Sequence, residues 1–294
     1  MLADAIQPGL HCARMSASDQ RLPVFGGPEK RAYVRTMFAA IAPTYDRLNR
    51  IISFSFDQRW RRRAIGRLGW ERHPDGVYLD LCAGTLDFSV ALAVQPGFTG
   101  RIVAADFVPA MLRVGRTKIG HHAILPVTAD ALELPFPDAW FDGAVVGWGM
   151  RNLVDLEAGL REASRVLKPG ARLAVLEMSQ PGWQPLRALV DFYFDHVLPR
   201  IGRAISKHRT AYSWLPESTR VFPAPPELAR RMEASGFGSV TYETLLGGSC
   251  AMHVGVRGGG GTATAWRGKR EQESRWLTGR CLWVSRWWCD SPTS

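Results

Sequence analysis

Residues 78–89, YLDLCAGTLDFS, set a glycine, a threonine hydroxyl and an acidic residue just past an apolar run. That order of residue types suits a strand that ends in a tight turn and opens a helix, the place where a parallel sheet binds ligands. Gly84 lets a ligand approach the backbone, and the Thr85 hydroxyl and amide suit a carboxylate at a helix start. Nucleotide loops usually carry a second nearby glycine; here Leu86 occupies that place. By itself the stretch is weak evidence, and a plain strand–helix corner is the more ordinary reading. A second apolar run, RIVAADF, places Asp106 at its carboxyl end, one residue before Phe107. A carboxylate there accepts the two hydrogen bonds that a ribose diol donates; the alternative is a helix cap ahead of Pro109. A third run, ILPVTAD, ends on Asp130, placed to accept from an exocyclic amine, with the Ala131 amide available to an adenine ring. Gly-Thr, Asp and Asp-Ala at three successive strand ends point to S-adenosyl-L-methionine. A dinucleotide fits less well, because no G-x-G-x-x-G is present.

The elements that must hold these residues follow from apolar patterning. Strands are expected over 77–83, 101–107, 124–130, 141–150 and 171–179, and helices over 87–94, 109–120 and 156–167. Near-continuous apolar strands alternating with amphipathic helices predict a parallel α/β sheet covered on both faces. A helix over 226–237 and two strands, 239–248 and 250–258, joined by a short Gly-containing turn, add an antiparallel hairpin at one edge. That combination is the class I adenosylmethionine-dependent methyltransferase (Rossmann-like) fold. Ahead of it, residues 29–66 carry Val34, Phe38, Ile41, Tyr45 and Leu48 at helical spacing, with a break at Pro43. This segment is expected to act as a helical lid, with Tyr45, Asp46 and Asn49 closing over the cofactor. Residues 1–28 and 259–294 are expected to be disordered extensions outside the 29–258 domain.

Composition excludes several classes. The chain of 294 residues, 46% hydrophobic, supports one sizeable core. No apolar run is long enough to span a bilayer, and the start lacks a secretory pattern. The five cysteines form no C-x-x-C pair and no zinc spacing, so no metal is expected and a reducing, cytoplasmic compartment fits. The net charge of +10 is concentrated partly in RWRRRAIGR (59–67), read either as a solvated face or as a membrane-surface or nucleic-acid patch.

Larger blocks then carry a specific resemblance. VRTMFAAIAPTYDRLNRIISFSFDQRWRR, LDLCAGTLDFS, GMRN, RVLKPG, HVLPRIG and YSWLPESTRVFPAPPELARRMEASGF resemble the ubiquinone/menaquinone C-methyltransferase family (UbiE/MenG type) over about residues 30–257. The resemblance implies S-adenosyl-L-methionine-dependent methylation of a ring carbon of a polyprenylated quinol, with demethylmenaquinol to menaquinol favoured. It implies cofactor positions at Thr85, Asp106, Asp130 and Ala131, joined by Asp80, Gly84, Tyr45 and Gly147. Gly147 stands where the family often has Ser, and Leu86 replaces a family glycine, so both bear on cofactor affinity. The alternatives are a methyltransferase of another small or lipidic acceptor, or an inactive homologue that binds the cofactor weakly.

Carbon methylation needs an electron-rich ring, hence the reduced quinol, and removal of a hydroxyl proton pushes charge onto the neighbouring carbon. Arg151 is expected to stabilise the phenolate and Asn152 to orient the ring, with Arg151 as a structural ion-pair partner the competing reading. Tyr212 and Glu217 are expected near the quinol, and His196, His208 and His253 are read as structural. A bilayer-resident substrate implies transient peripheral contact with the inner face of the membrane, through 51–56 and 59–67. A homodimer is admitted, and no nucleic-acid partner is expected.

Overall fold

A computed structural model describes residues 22–200 and 209–259. The chain builds a seven-stranded sheet of order β3-β2-β1-β4-β5-β7-β6. The strands are β1 (Val77–Leu81), β2 (Arg101–Asp106), β3 (Ile124–Thr128), β4 (Phe141–Gly147), β5 (Leu167–Met178), β6 (Phe237–Leu245) and β7 (Cys250–Arg257). β1 pairs in parallel with both β2 and β4, whereas β7 runs antiparallel to β5 and to β6. The parallel sheet and its antiparallel edge are therefore as expected. The strand order reverses between β1 and β4, and the opening past their carboxyl ends is the natural ligand crevice.

The inner strands are buried on both faces because helices cover both. On one face α6 (Leu156–Val166) and α9 (Pro225–Ala234) bring Leu160, Ala163, Leu228 and Met232 against Leu79, Val146 and Val175. On the other, α3 (Phe56–Leu68), α4 (Asp87–Ala93) and α5 (Pro109–Arg116) contribute Ile65, Leu68, Phe88, Leu92 and Leu112 against Tyr78, Val145 and Ala174. The turn expected at Lys168–Gly170 interrupts the pairing of β5: Leu167 opposes Phe141, and pairing resumes at Arg172 opposite Gly143.

The segment expected to form one lid divides in two. α1 (Pro28–Ile41), a short 3-10 turn over Ala42–Thr44 and α2 (Tyr45–Ile52) lie at the crevice; Pro43 sits in the turn, where its missing N–H is tolerated. α3 instead belongs to the core, burying Ala64 and Ile65 on the sheet. α7 (Gln184–Phe192), a π-helical stretch over Tyr193–Val197 and α8 (Arg209–Val221) complete the upper layer. The expected extension over 1–28 lies mostly outside the described residues; within its last part Val24 is buried against Val34, Met37 and Trp214. The expected tail falls almost wholly outside them too, as do His208, Cys12, Cys281 and Cys289.

Leu86 caps the start of α4 with a left-handed backbone (φ 66°), the conformation that favours glycine. Its side chain is fully buried, and its Cγ lies where a Cβ on Gly115 of α5 would be, 2.4 Å away. Leu86 thus packs down between α5 and the sheet, away from the crevice. Leu86→Gly is expected to lower unfolding free energy by roughly 1–3 kcal/mol, the loss of a buried Leu exceeding the relief of left-handed strain. S-adenosylmethionine affinity should stay within about threefold, since packing and not binding is removed. Urea denaturation and titration calorimetry read the two effects separately.

Candidate active site

Two cavities meet at the carboxyl end of the sheet. The first is lined by Gly84, Cys82, Asp106, Asp130, Ala131, Gly147 and Asn152, with Arg31, Val34, Phe38 and Tyr45 from the helices above. The second, of ≈ 500 Å³, is almost wholly apolar: Leu48, Ile52, Trp60, Met178, Leu186, Val190, Phe194, Trp214 and Leu215 line it, with Arg151 at its wall. Phe38, Tyr45 and Trp148 face both, so these three rings form the partition.

The strand-end residues assemble as their spacing suggested. Gly84 donates its amide to Asp106 Oδ2 at 2.8 Å, and Val108 donates to Oδ1 at 2.8 Å. Burial pushes the Asp106 carboxyl up to about 6 despite these two amides. Asp130 accepts from the Leu132 amide at 3.0 Å and pairs with Arg31 of α1. Ala131 lies buried beside it. Gly147 admits the Phe88 ring: a Cβ there would lie 2.4 Å from Phe88 Cε2. A serine side chain here would require the Phe88 ring of α4 to shift.

Two expected cofactor residues sit differently. Asp80 does not line the cavity; its Oδ2 accepts the amide and hydroxyl of Ser89 at 2.9 and 2.6 Å, tying α4 to β1. Burial raises its carboxyl to about 7. Thr85 is buried beneath the loop and donates its hydroxyl to Asp46 of α2. Lys118 binds Asp46 at 2.6 Å and also Asp87, so the upper layer is latched to the sheet by charge. Tyr45 lines the cavity as expected; burial raises its phenol, with the Asn49 side chain and Arg151 acting in the opposite sense.

Arg151 and Asn152 part company. Arg151 lines the apolar cavity, buried, with Nη1 on the Trp148 carbonyl (2.7 Å) and on Glu177 Oε1 (2.5 Å). It is an ion-pair partner and a cavity-facing cation at once, and its Nε is buried without a hydrogen-bond partner. Asn152 faces the other cavity: Nδ2 donates to the Trp148 carbonyl (3.0 Å) and Oδ1 accepts from Trp214 Nε1 (2.8 Å). Its amide is spent on bracing α8, so it does not contact the apolar cavity where a ring would be oriented. Glu217 pairs with Arg220 and lines neither cavity, whereas its neighbours Trp214 and Leu215 line the apolar one. His253 is buried, with Nε2 on the Pro225 carbonyl, a structural position.

The sequence reading missed Trp148 and Glu177. Trp148 holds a left-handed backbone (φ 56°), a strained arrangement of the kind found at functional sites, and its ring stacks 4.8 Å from the Arg61 guanidinium. The signals were present: an aromatic just past an apolar strand, and one acid inside the otherwise apolar LAVLEM of β5. The basic run also resolves residue by residue. Arg61 turns inward to Asp57 and Asp87, Arg63 binds Glu243 on β6, and Arg59 and Arg62 remain exposed.

The model of the ubiE/COQ5 methyltransferase family matches residues 28–257. A demethylmenaquinone methyltransferase of Thermus thermophilus is 46% identical over 224 residues, covering 75% of this chain and all of that protein. The enzyme of that name from Deinococcus radiodurans is 42% identical over 240 residues, 81% of this chain and 98% of its own length. Among solved structures, a SAM-dependent methyltransferase of Thermotoga maritima superposes with a TM-score of 0.54 at 19% identity, covering 76% of this chain and 99% of that one. The [4+2]-cyclase SpnF gives 0.59 at 16% identity, covering 80% and 99%. These structural likenesses speak for the fold alone.

Proposed function

The chain belongs to the ubiE/COQ5 methyltransferase family, and from that premise we propose that it methylates a ring carbon of a polyprenylated quinol, demethylmenaquinol before a benzoquinol. The activity is that of an S-adenosyl-L-methionine-dependent methyltransferase. The observation that carries the substrate is the apolar cavity set against the cofactor crevice through one aromatic partition. A prenylated ring is a large apolar body with two polar oxygens, and the cavity offers an apolar lining with few polar groups. The relatives named above as demethylmenaquinone methyltransferases favour the naphthoquinol.

The residues present fit the cofactor. Asp106 would hold the ribose hydroxyls, Asp130 and the Ala131 amide the adenine, with Arg31 giving up or sharing Asp130, and Gly84 admits close approach. When bound, S-adenosylmethionine supplies an electrophilic methyl group. The protein's own part is to place the ring, hold the phenolate and exclude water. Arg151 Nε, free inside an apolar wall, is a fixed cationic donor for the ring oxygen, and Glu177 keeps it in place. Tyr45, Phe38 and Trp148 close the junction against solvent.

Membrane contact is part of the same reading. Phe54 (72% exposed), Leu189 (63%) and Leu246 (55%) line the apolar cavity yet face outward as a collar, and Trp183 just ahead of α7 and Phe192 at its end are exposed as well. Among the described residues no helix is long and apolar enough to cross a membrane; the collar would rest on the surface and admit the ring from the bilayer, with the exposed Arg59 and Arg62 of α3 available to anionic lipid. The deciding experiment incubates the protein with labelled S-adenosylmethionine and reduced naphtho- and benzoquinols in vesicles with and without anionic lipid. A singly methylated naphthoquinol, formed faster on anionic vesicles, is expected. A labelled product from neither ring would overturn the substrate, and sedimentation with vesicles independent of anionic lipid would count against the basic contact.

A further inference from the structure

The corner between α2 and α3 carries a polar wall that the chemistry above leaves unused. Tyr45, Leu48, Asn49 and Ile52 place one stripe of α2 on the apolar cavity. An amide in an apolar stripe is costly unless something pairs with it. Asn49 Nδ2 is buried and interacts with the Tyr45 phenol, but it has no hydrogen bond of good geometry. Ser53 and Asp57 continue the same wall at intervals of four residues. Asp57 is 2% exposed; its Oδ1 accepts from the Ser53 hydroxyl at 2.9 Å and its Oδ2 faces Arg61 at 3.4 Å. The wall therefore offers a buried amide donor that is incompletely satisfied and a carboxylate with lone pairs to spare.

We propose that Asn49 and Asp57 form a second ring-oxygen site, which recognises a hydroxyl and so reads the reduction state of the ring. The inference rests on the quinol reading of this cavity. A ring hydroxyl both donates and accepts, which matches a carboxylate beside an amide N–H. A quinone carbonyl only accepts: Asn49 can serve it, whereas Asp57 meets it lone pair to lone pair. Arg151, whose Nε is buried without a partner at the wall of this cavity, serves either form, so selection falls to Asp57.

The test is equilibrium binding to the full chain, without methyl donor, of a short-chain prenylated naphthoquinone and of its anaerobically reduced quinol. Quenching of the cavity tryptophans Trp60, Trp148 and Trp214 reports binding. The wild type is expected to hold the quinol at least about tenfold more tightly, the scale of a hydrogen bond to a charged group. Asp57→Asn turns an acceptor into a donor of the same shape, and Arg61 keeps Asp87 at 2.6 Å; the preference should fall to within about threefold of unity. Asn49→Leu, which continues the apolar stripe, should weaken both forms alike and leave the ratio in place. A wild type that binds the two forms equally, or an Asp57→Asn that keeps the wild-type ratio, overturns the site. Binding of neither form would remove the ring substrate together with it, whereas the expected ratios without any methylated product would strike the activity and leave this site standing.

Discussion

Arg151→Ala is expected to lower kcat by about 10²–10³-fold, the scale for removing one preorganised donor from developing negative charge. S-adenosylmethionine affinity should hold within about threefold, because Arg151 faces the apolar cavity and not the cofactor crevice. The substitution also strands Glu177, 1% exposed, as an unpaired buried carboxylate, at about 3–5 kcal/mol of stability. A loss of activity could then be mistaken for a loss of fold. Arg151→Ala combined with Glu177→Gln removes the stranded charge, so stability should largely return while kcat stays low. Single-turnover rates and urea denaturation on wild type, both single variants and the double variant separate the two effects. Full recovery of kcat in the double variant would reduce Arg151 to a structural ion-pair partner.

The residues that were legible in the sequence are those whose role is set locally. Asp106 and Asp130 end apolar strands, and a parallel sheet puts every strand end at one edge, so chain order alone carried them to the crevice. Leu86 was not legible, because its place depends on Gly115 of α5, in contact with it in space yet 29 positions on in the chain. Gly147 likewise depends on Phe88, and the inward turn of Arg61 depends on Asp87. Asn152 was assigned to the substrate from its neighbourhood to Arg151, yet successive residues of a 3-10 turn point apart, and Trp214 claims its amide. The apolar cavity was the least visible feature. Its walls come from α1, α2, α7 and α8, and nothing in a single segment shows that Leu48, Val190 and Leu215 share a surface.

Asp106 carries the other large effect, on binding. Asp106→Ala should weaken S-adenosylmethionine by about 10²–10³-fold, two charge-assisted hydrogen bonds to a diol at about 1.5–3 kcal/mol each, offset in part by retained contacts at Asp130 and Ala131. The pH dependence gives a sharper test, because affinity and stability should move in opposite directions. Burial raises this carboxyl from 3.8 to about 6 in the folded chain. The ionised form is the better acceptor, so affinity should be level above pH 7 and fall about tenfold per unit below pH 6. For stability, a raised folded value means that the native state holds its proton longer than the unfolded chain does. The contribution of Asp106 is therefore fully present below pH 4 and is lost as pH rises through 6, about 3 kcal/mol in all. Asp80, raised to about 7 by burial, adds to the stability trend without lining the crevice. Asp106→Asn does not titrate, so its Kd should be nearly flat between pH 5 and 8, and the stability difference from wild type should shift in its favour across the same range. Calorimetric titration and urea denaturation at several pH values measure both. A wild-type affinity that is constant down to pH 5 would show that the ribose is not held by this carboxylate.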